Sequence, residues 1–213
     1  RVLQRTILFL SCAAPGVAAT VAPSNVSVVR VVEGRYENRN LADGAALGTE
    51  SFRLTVHRDG SRCLLIWSNS ASRGTPITSH VCVDTAFRPT EAYARYWIGG
   101  HYRGSGWLRV HGAKLTLISA NAEGATSTTE TPVPERFSIG THPISGDAWH
   151  AAALGPDSAE EATSFTFNPA GTGDRPLTGS LVRIPVEKAG NERVKVPAGE
   201  FDTQRITLAG QTT

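Results

Sequence analysis

The sequence predicts an all-β protein, a single antiparallel barrel or sandwich of about nine to twelve strands with one or two short helical turns. Three observations carry that expectation. Apolar and polar residues alternate with a period of two along most of the chain, the repeat of a strand that buries one face. Gly, Pro, Asn and Asp gather between the alternating runs, at the spacing of hairpin turns. Helix starts are scarce and short.

In chain order, residues 1–19 come first: two arginines, an apolar run centred on Ile7-Leu8-Phe9-Leu10, then small residues ending Val17-Ala18-Ala19. Basic, apolar, small is the order of a secretory leader, with cleavage expected after Ala19. The apolar run is shorter than the roughly 20 residues that span a bilayer. Two other readings of this segment are a buried N-terminal strand and a lipoprotein leader on Cys12. Residues 20–213 are expected to form one β domain. The chain has no Met and stops soon after a strand, so trimming at the start and truncation at the C-terminus are also expected.

Within the domain, Ser51–His57 sets Phe52, Leu54 and Val56 against Arg53, Thr55 and His57, and Asp59-Gly60 turns the chain into the Cys63 strand. Glu91–Ile98 alternates around Tyr93, Arg95 and Trp97 and breaks at Gly99-Gly100. Trp107–His111 and Ala113–Ser119 read as a hairpin turning at Gly112, and Ala125–Pro134 as an exposed loop or edge. Thr163–Phe167 is a short strand, Leu181–Glu187 and Glu192–Val196 flank a turn at Ala189-Gly190-Asn191, and Phe201–Leu208 is the last strand. The helical candidates are Asp147–Leu154 and the capping-box spacing at Ser158–Glu161.

Three cysteines become two if Cys12 leaves with the leader. Cys63 and Cys82 both lie in strand-like runs, with the turn signal Ser72–Pro76 between them. A hairpin turning at Ser72-Arg73 sets Cys63 directly opposite Cys82, within disulfide reach. Such a bond belongs to an oxidising compartment, so the periplasm or the cell exterior is expected. The alternative for this pair is a reactive or metal-binding role, which the spacing does not suggest.

The 213 residues are 40% hydrophobic and 19% charged, enough to build a core. Lys and Arg number 21 against 19 Asp and Glu, and the first nineteen residues hold two of the arginines and no acid. The remainder is neutral, which argues against a nucleic-acid partner and against a polybasic membrane anchor. No later apolar run has transmembrane length, and the sequence is silent on oligomeric state.

Arg193–Leu208, RVKVPAGEFDTQRITL, carries the most recognisable pattern. Val-Pro-Ala-Gly-x-Phe-Asp-Thr followed by an alternating strand resembles a motif in a family of exported bacterial β-rich proteins of unknown function. Gly48-Thr49-Glu50 and Phe87-Arg88-Pro89, each preceding a strand, resemble the same group. The resemblance implies a periplasmic, lipocalin-like or open-barrel fold and no particular reaction. The family's further aromatic-rich strand after the motif is missing here.

P-loop, dinucleotide-binding, zinc-protease and nucleophile-elbow signatures are absent. No cofactor and no metal are expected. Two clusters remain. His142, Asp147 and His150 fall within ten residues with Ser145 and Trp149, a candidate for acid–base work in an isomerase, hydratase or lyase. A metal site there would need a third ligand such as Asp147 or His101. The structural alternative is a short helix capped by Ser145 or Asp147, with Trp149 packed beneath it. The second cluster is Tyr93, Arg95, Trp97, His101, Tyr102 and Trp107, joined by Trp149, a candidate lining for a small amphipathic ligand inside a barrel cavity of several hundred Å³. Plain core packing competes with it. The expected role is therefore an exported ligand-binding or envelope accessory protein. The alternatives are an acid–base enzyme and a structural protein with an exposed strand edge.

Overall fold

The computed structural model describes residues 4–7, 28–40, 42–70, 75–154, 161–196 and 199–209. Most of the expected leader and the Ser72-Arg73 turn lie outside them. In order the elements are β1 (Gln4–Ile7), β2 (Val28–Arg39), β3 (Ala46–His57), β4 (Arg62–Ser70), β5 (Thr75–Val83), β6 (Pro89–Ile98), β7 (His101–His111), β8 (Lys114–Ala120), β9 (Thr126–Pro132) and β10 (Ser138–Gly140). A 3-10 turn (Ile144–Gly146), α1 (Ala148–Leu154), β11 (Glu161–Asn168), β12 (Thr178–Val196) and β13 (Gly199–Ala209) follow. The all-β class and the short helical turn at 147–154 are as the sequence predicts.

The strands form two sheets. Eight strands, β2 to β9, pair in chain order as one antiparallel meander. The other five run β1-β13-β12-β11-β10, with β10 and β11 parallel and the other pairs antiparallel. Tight turns make the meander possible. Gly99 and Gly100 both adopt positive φ, at 59° and 78°, which suits the twist of a two-residue hairpin.

Alternation decides which side of each strand meets the core. On β6, Ala92, Ala94 and Tyr96 are buried while Arg95 is exposed and Tyr93 and Trp97 are half-buried. On β7, Gly106 and Leu108 face inward and Trp107 and Arg109 outward. The small inward residues leave room for large ones from the second sheet: a Cβ added at Gly106 would stand 2.9 Å from Phe167 Cε1. Phe165 and Phe167 meet edge to face at 6.2 Å and are fully buried. Each such Phe contributes about 1.5–3 kcal/mol through burial. The main core lies between the inner face of β5–β8 and β10–β11, closed by Val133, Phe137 and Leu177.

One element departs from expectation. Residues 189–191 do not reverse the chain; β12 runs unbroken from Thr178 to Val196. Along its ladder with β13, Lys188 pairs with Ile206 and Asn191 with Gln204, so two residues oppose one. Gly190, at φ 94°, supplies the positive φ that a bulge of this kind needs. The glycine that reads as a hairpin signal is thus absorbed as a bulge, because the strand has a long partner on which to continue. At the far end of this ladder Val196 pairs with Gly199, the residues that flank Pro197 and Ala198.

Candidate functional site

The outward face of the eight-stranded sheet is the most chemically distinctive surface among the described residues. Register builds it row by row. One row runs Arg53, Leu65, His80, Tyr93, Trp107, Ile118 and Thr128 across seven strands. A second row runs Ser51, Trp67, Thr78, Arg95, Ser105 and Ala120. Trp67, Trp107 and Ile118 are 46%, 37% and 43% exposed; Trp107 and Ile118 are direct cross-strand neighbours, while Trp67 stands in the second row on β4. Cations border them: the Arg95 guanidinium lies 4.7 Å from both the Trp97 and Tyr102 rings, and that of Arg109 lies 5.5 Å from Trp107. Trp97 and Tyr102 are themselves 5.3 Å apart. Such stacked guanidinium–ring contacts are worth roughly 0.5–1 kcal/mol each at exposed positions, and they hold both partners in place.

The structure therefore brings Tyr93, Arg95, Trp97, Tyr102 and Trp107 together, but on the outside of a sheet rather than inside a barrel. His101 is exposed beside the Gly99-Gly100 turn. Trp149 is separate: it packs against the core cluster and meets Phe87 edge to face at 6.1 Å. Among the described residues, core side chains fill the space between the two sheets. The concavity described, about 450 Å³, sits elsewhere, over Asn191–Arg193 and Asp202–Gln204 on β12 and β13. The physical reason is the Ala and Gly residues on the inward side of β6 and β7, which draw the second sheet close.

The disulfide lies on the same outward face. Cys63 and Cys82 pair directly, as the hairpin reading requires, with Cα atoms 4.1 Å apart and the bond formed. His80, two residues from Cys82, brings Nε2 to 3.6 Å from its Sγ. Burial lowers the His80 pKa, and the charge of Glu91 partly offsets this.

The histidine cluster resolves into two unlike environments. His150 is buried, with Nδ1 2.6 Å from the Ser138 hydroxyl and Nε2 3.7 Å from an Asp147 carboxylate oxygen. Burial lowers its pKa to about 4, so the ring is neutral at pH 7. His142 is exposed, holds a positive φ of 72°, and directs Nε2 to the Phe167 carbonyl at 2.6 Å. Its ring also meets that of Tyr96 at 5.7 Å. Burial raises the Tyr96 phenol pKa well above its ordinary value, and the group donates to the Thr141 carbonyl at 3.3 Å. His150 thus meets both Asp147 and Ser138, while His142 engages β11. Because Ser138 is only 3% exposed, it has the chemistry of a buried hydrogen-bond partner, not of an open nucleophile.

One residue central to this region was not singled out as a site. The buried Glu50 carboxylate accepts the backbone N–H groups of Ile144 and Ser145 at 2.8 and 2.7 Å and the Ser68 hydroxyl at 3.1 Å. It caps the 3-10 turn from across the sheet and fixes the 141–147 segment. Just before β6, Arg88 clasps the chain that follows β9, donating to the carbonyls of Pro134, Glu135 and Gly112. The Gly-Thr-Glu and Phe-Arg-Pro signals thus mark structural clasps.

No family model matches the chain, and comparison with curated proteins and with solved structures likewise gives no match. Among the described residues no helix is long and apolar enough to cross a membrane.

Proposed function

We propose that this protein is an exported binding or envelope accessory protein, working in the periplasm or outside the cell, and that the outward face of its eight-stranded sheet takes a small amphipathic, anionic ligand. The observation that carries the reading is the outward row Tyr93, Trp107 and Ile118, with Trp67 exposed in the second row and Arg95 and Arg109 stacked on rings of the same face. A flat ring or acyl segment gains by covering these side chains, and an anionic group gains from the guanidinium of Arg95 or Arg109. The leader pattern, the Val-Pro-Ala-Gly-x-Phe-Asp-Thr resemblance and the Cys63–Cys82 bond support the compartment.

The test is a fluorescence titration with anilinonaphthalenesulfonate, an anionic amphipathic ring compound. Saturable binding to the native protein is expected, weakened at least about tenfold in Trp67→Ala/Trp107→Ala, since each stacked ring is worth about 1–3 kcal/mol. Equal binding by the two proteins, with both retaining the β-sheet circular dichroism spectrum, sinks the idea.

The acid–base reading draws support from the Asp147–His150–Ser138 chain. Diethyl pyrocarbonate distinguishes it: modification of His150 at the rate of a free imidazole favours chemistry there, and protection assigns the chain to structure.

A further inference from the structure

The outward face holds a second constellation, beyond the aromatic ladder. Cys63, His80 and Cys82 each offer one ligand atom, and the three atoms lie within 4.8 Å of one another. All three residues are partly exposed. The geometry follows from strand physics. His80 and Cys82 are two apart on β5 and so project from one face, and Cys63 faces Cys82 across the hairpin. Glu91 pairs with Cys82 on its other flank, and its charge acts on His80. Two sulfurs and an imidazole thus converge from two adjacent strands, with Glu91 on the next strand opposite Cys82.

We propose that the Cys63–Cys82 disulfide is the closed form of a redox-gated zinc site, with Cys63, Cys82 and His80 as ligands and Glu91 or a solvent molecule in the fourth position. The chemistry balances as follows. A dithiol reductant gives up two electrons and two protons, becomes a disulfide itself, and leaves Cys63 and Cys82 as free thiols. Zn²⁺ then displaces both thiol protons and binds the two thiolates. Tetrahedral Zn–S and Zn–N bonds place ligand atoms roughly 3.5–3.8 Å apart. The 3.6 Å between His80 Nε2 and Cys82 Sγ already matches that edge. Only the two sulfurs must separate, which rotation about their Cα–Cβ bonds allows on an open face. Two thiolates and an imidazole suit zinc over magnesium or calcium. In the oxidised form both sulfurs are spent on each other, so the site is shut.

The experiment uses the purified chain with and without a phosphine reductant, titrated with Co²⁺ as a coloured stand-in and then with Zn²⁺ in competition. The reduced protein is expected to bind one Co²⁺ with thiolate-to-cobalt charge-transfer absorption, displaced by Zn²⁺, and the oxidised protein to show none. Cys63→Ser/Cys82→Ser abolishes the absorption in both states. His80→Ala weakens binding at least about tenfold and Glu91→Gln less, while His111→Ala, at the far hairpin end of β7, leaves it unchanged. Circular dichroism follows the fold throughout. The proposal is overturned if the reduced, folded protein binds Co²⁺ no better than the double serine variant, or if His80→Ala binds as wild type. It is also overturned if reduction abolishes the β-sheet spectrum, since the ligands converge only in the paired hairpin.

Discussion

Replacing Glu50 tests whether one buried carboxylate fastens the 141–147 segment to the sheet. Its oxygens accept two backbone N–H groups and one hydroxyl, and the residue is 2% exposed. Glu50→Ala leaves all three donors without that acceptor in a place where water does not readily replace it. Removing one side of a buried charged hydrogen-bond network costs about 3–5 kcal/mol. At about 2–4 °C per kcal/mol for a domain of this size, the midpoint of thermal unfolding falls by roughly 10 °C. Glu50→Gln keeps the shape and one acceptor oxygen but turns an N–H₂ toward one of the backbone donors, so about half that loss is expected. Urea denaturation of the three proteins gives the energies. Amide hydrogen exchange gives the location, with Ile144 and Ser145 losing protection before the β6 and β7 amides. The reasoning is refuted if both variants unfold within about 0.5 kcal/mol of wild type, or if the Ile144 and Ser145 amides stay as protected as before.

Two further outcomes follow from described geometry. His150 keeps a pKa near 4 in the folded protein, against 6.5 ordinarily. Below pH 6.5 the unfolded chain takes up a proton that the folded one refuses, so stability falls as pH drops toward 4, by about 1.5 kcal/mol between pH 6.5 and 5. Urea midpoints at those two pH values should therefore separate for wild type and converge for His150→Gln; His80, shifted in the same direction, contributes a smaller slope of the same sign. Reduction of the Cys63–Cys82 bond, which closes a loop of sequence separation 19, is expected to cost about 3 kcal/mol while leaving the sheet folded. Intact mass before and after reduction and paired denaturation curves measure it, and a loss under about 1 kcal/mol would show that the hairpin is held by its neighbours instead.

Strands were legible in the sequence because a period of two survives even when residue types vary, and the Cys63–Cys82 register was legible because a hairpin has only one centre. Gly190 was misleading for a reason that lies outside its own neighbourhood. Positive φ serves turns and bulges alike, and only the continued pairing of β12 with β13 distinguishes them. The aromatic cluster was found, but its direction was not. Tyr93, Arg95 and Trp97 alternate with Ala92, Ala94 and Tyr96, and either set can face a core. The deciding partners, Phe165 and Phe167, lie some seventy residues further on. The Gly48-Thr49-Glu50 pattern gives no hint of what Glu50 binds, because its donors at Ile144 and Ser145 are more than ninety residues away.

The alternation on β6 and β7 has a consequence for how such a protein can change over generations. Inward positions are sized against the second sheet, so a larger side chain at Ala92, Ala94 or Gly106 collides with its neighbours. Outward positions answer to no such constraint, since they border solvent. A single strand thus holds two independent sets of positions, interleaved residue by residue. The side chains at positions 67, 93, 95, 107 and 118 can be exchanged while the scaffold stays fixed. Divergent members of one lineage would then share their small inward residues and differ in the rings they display.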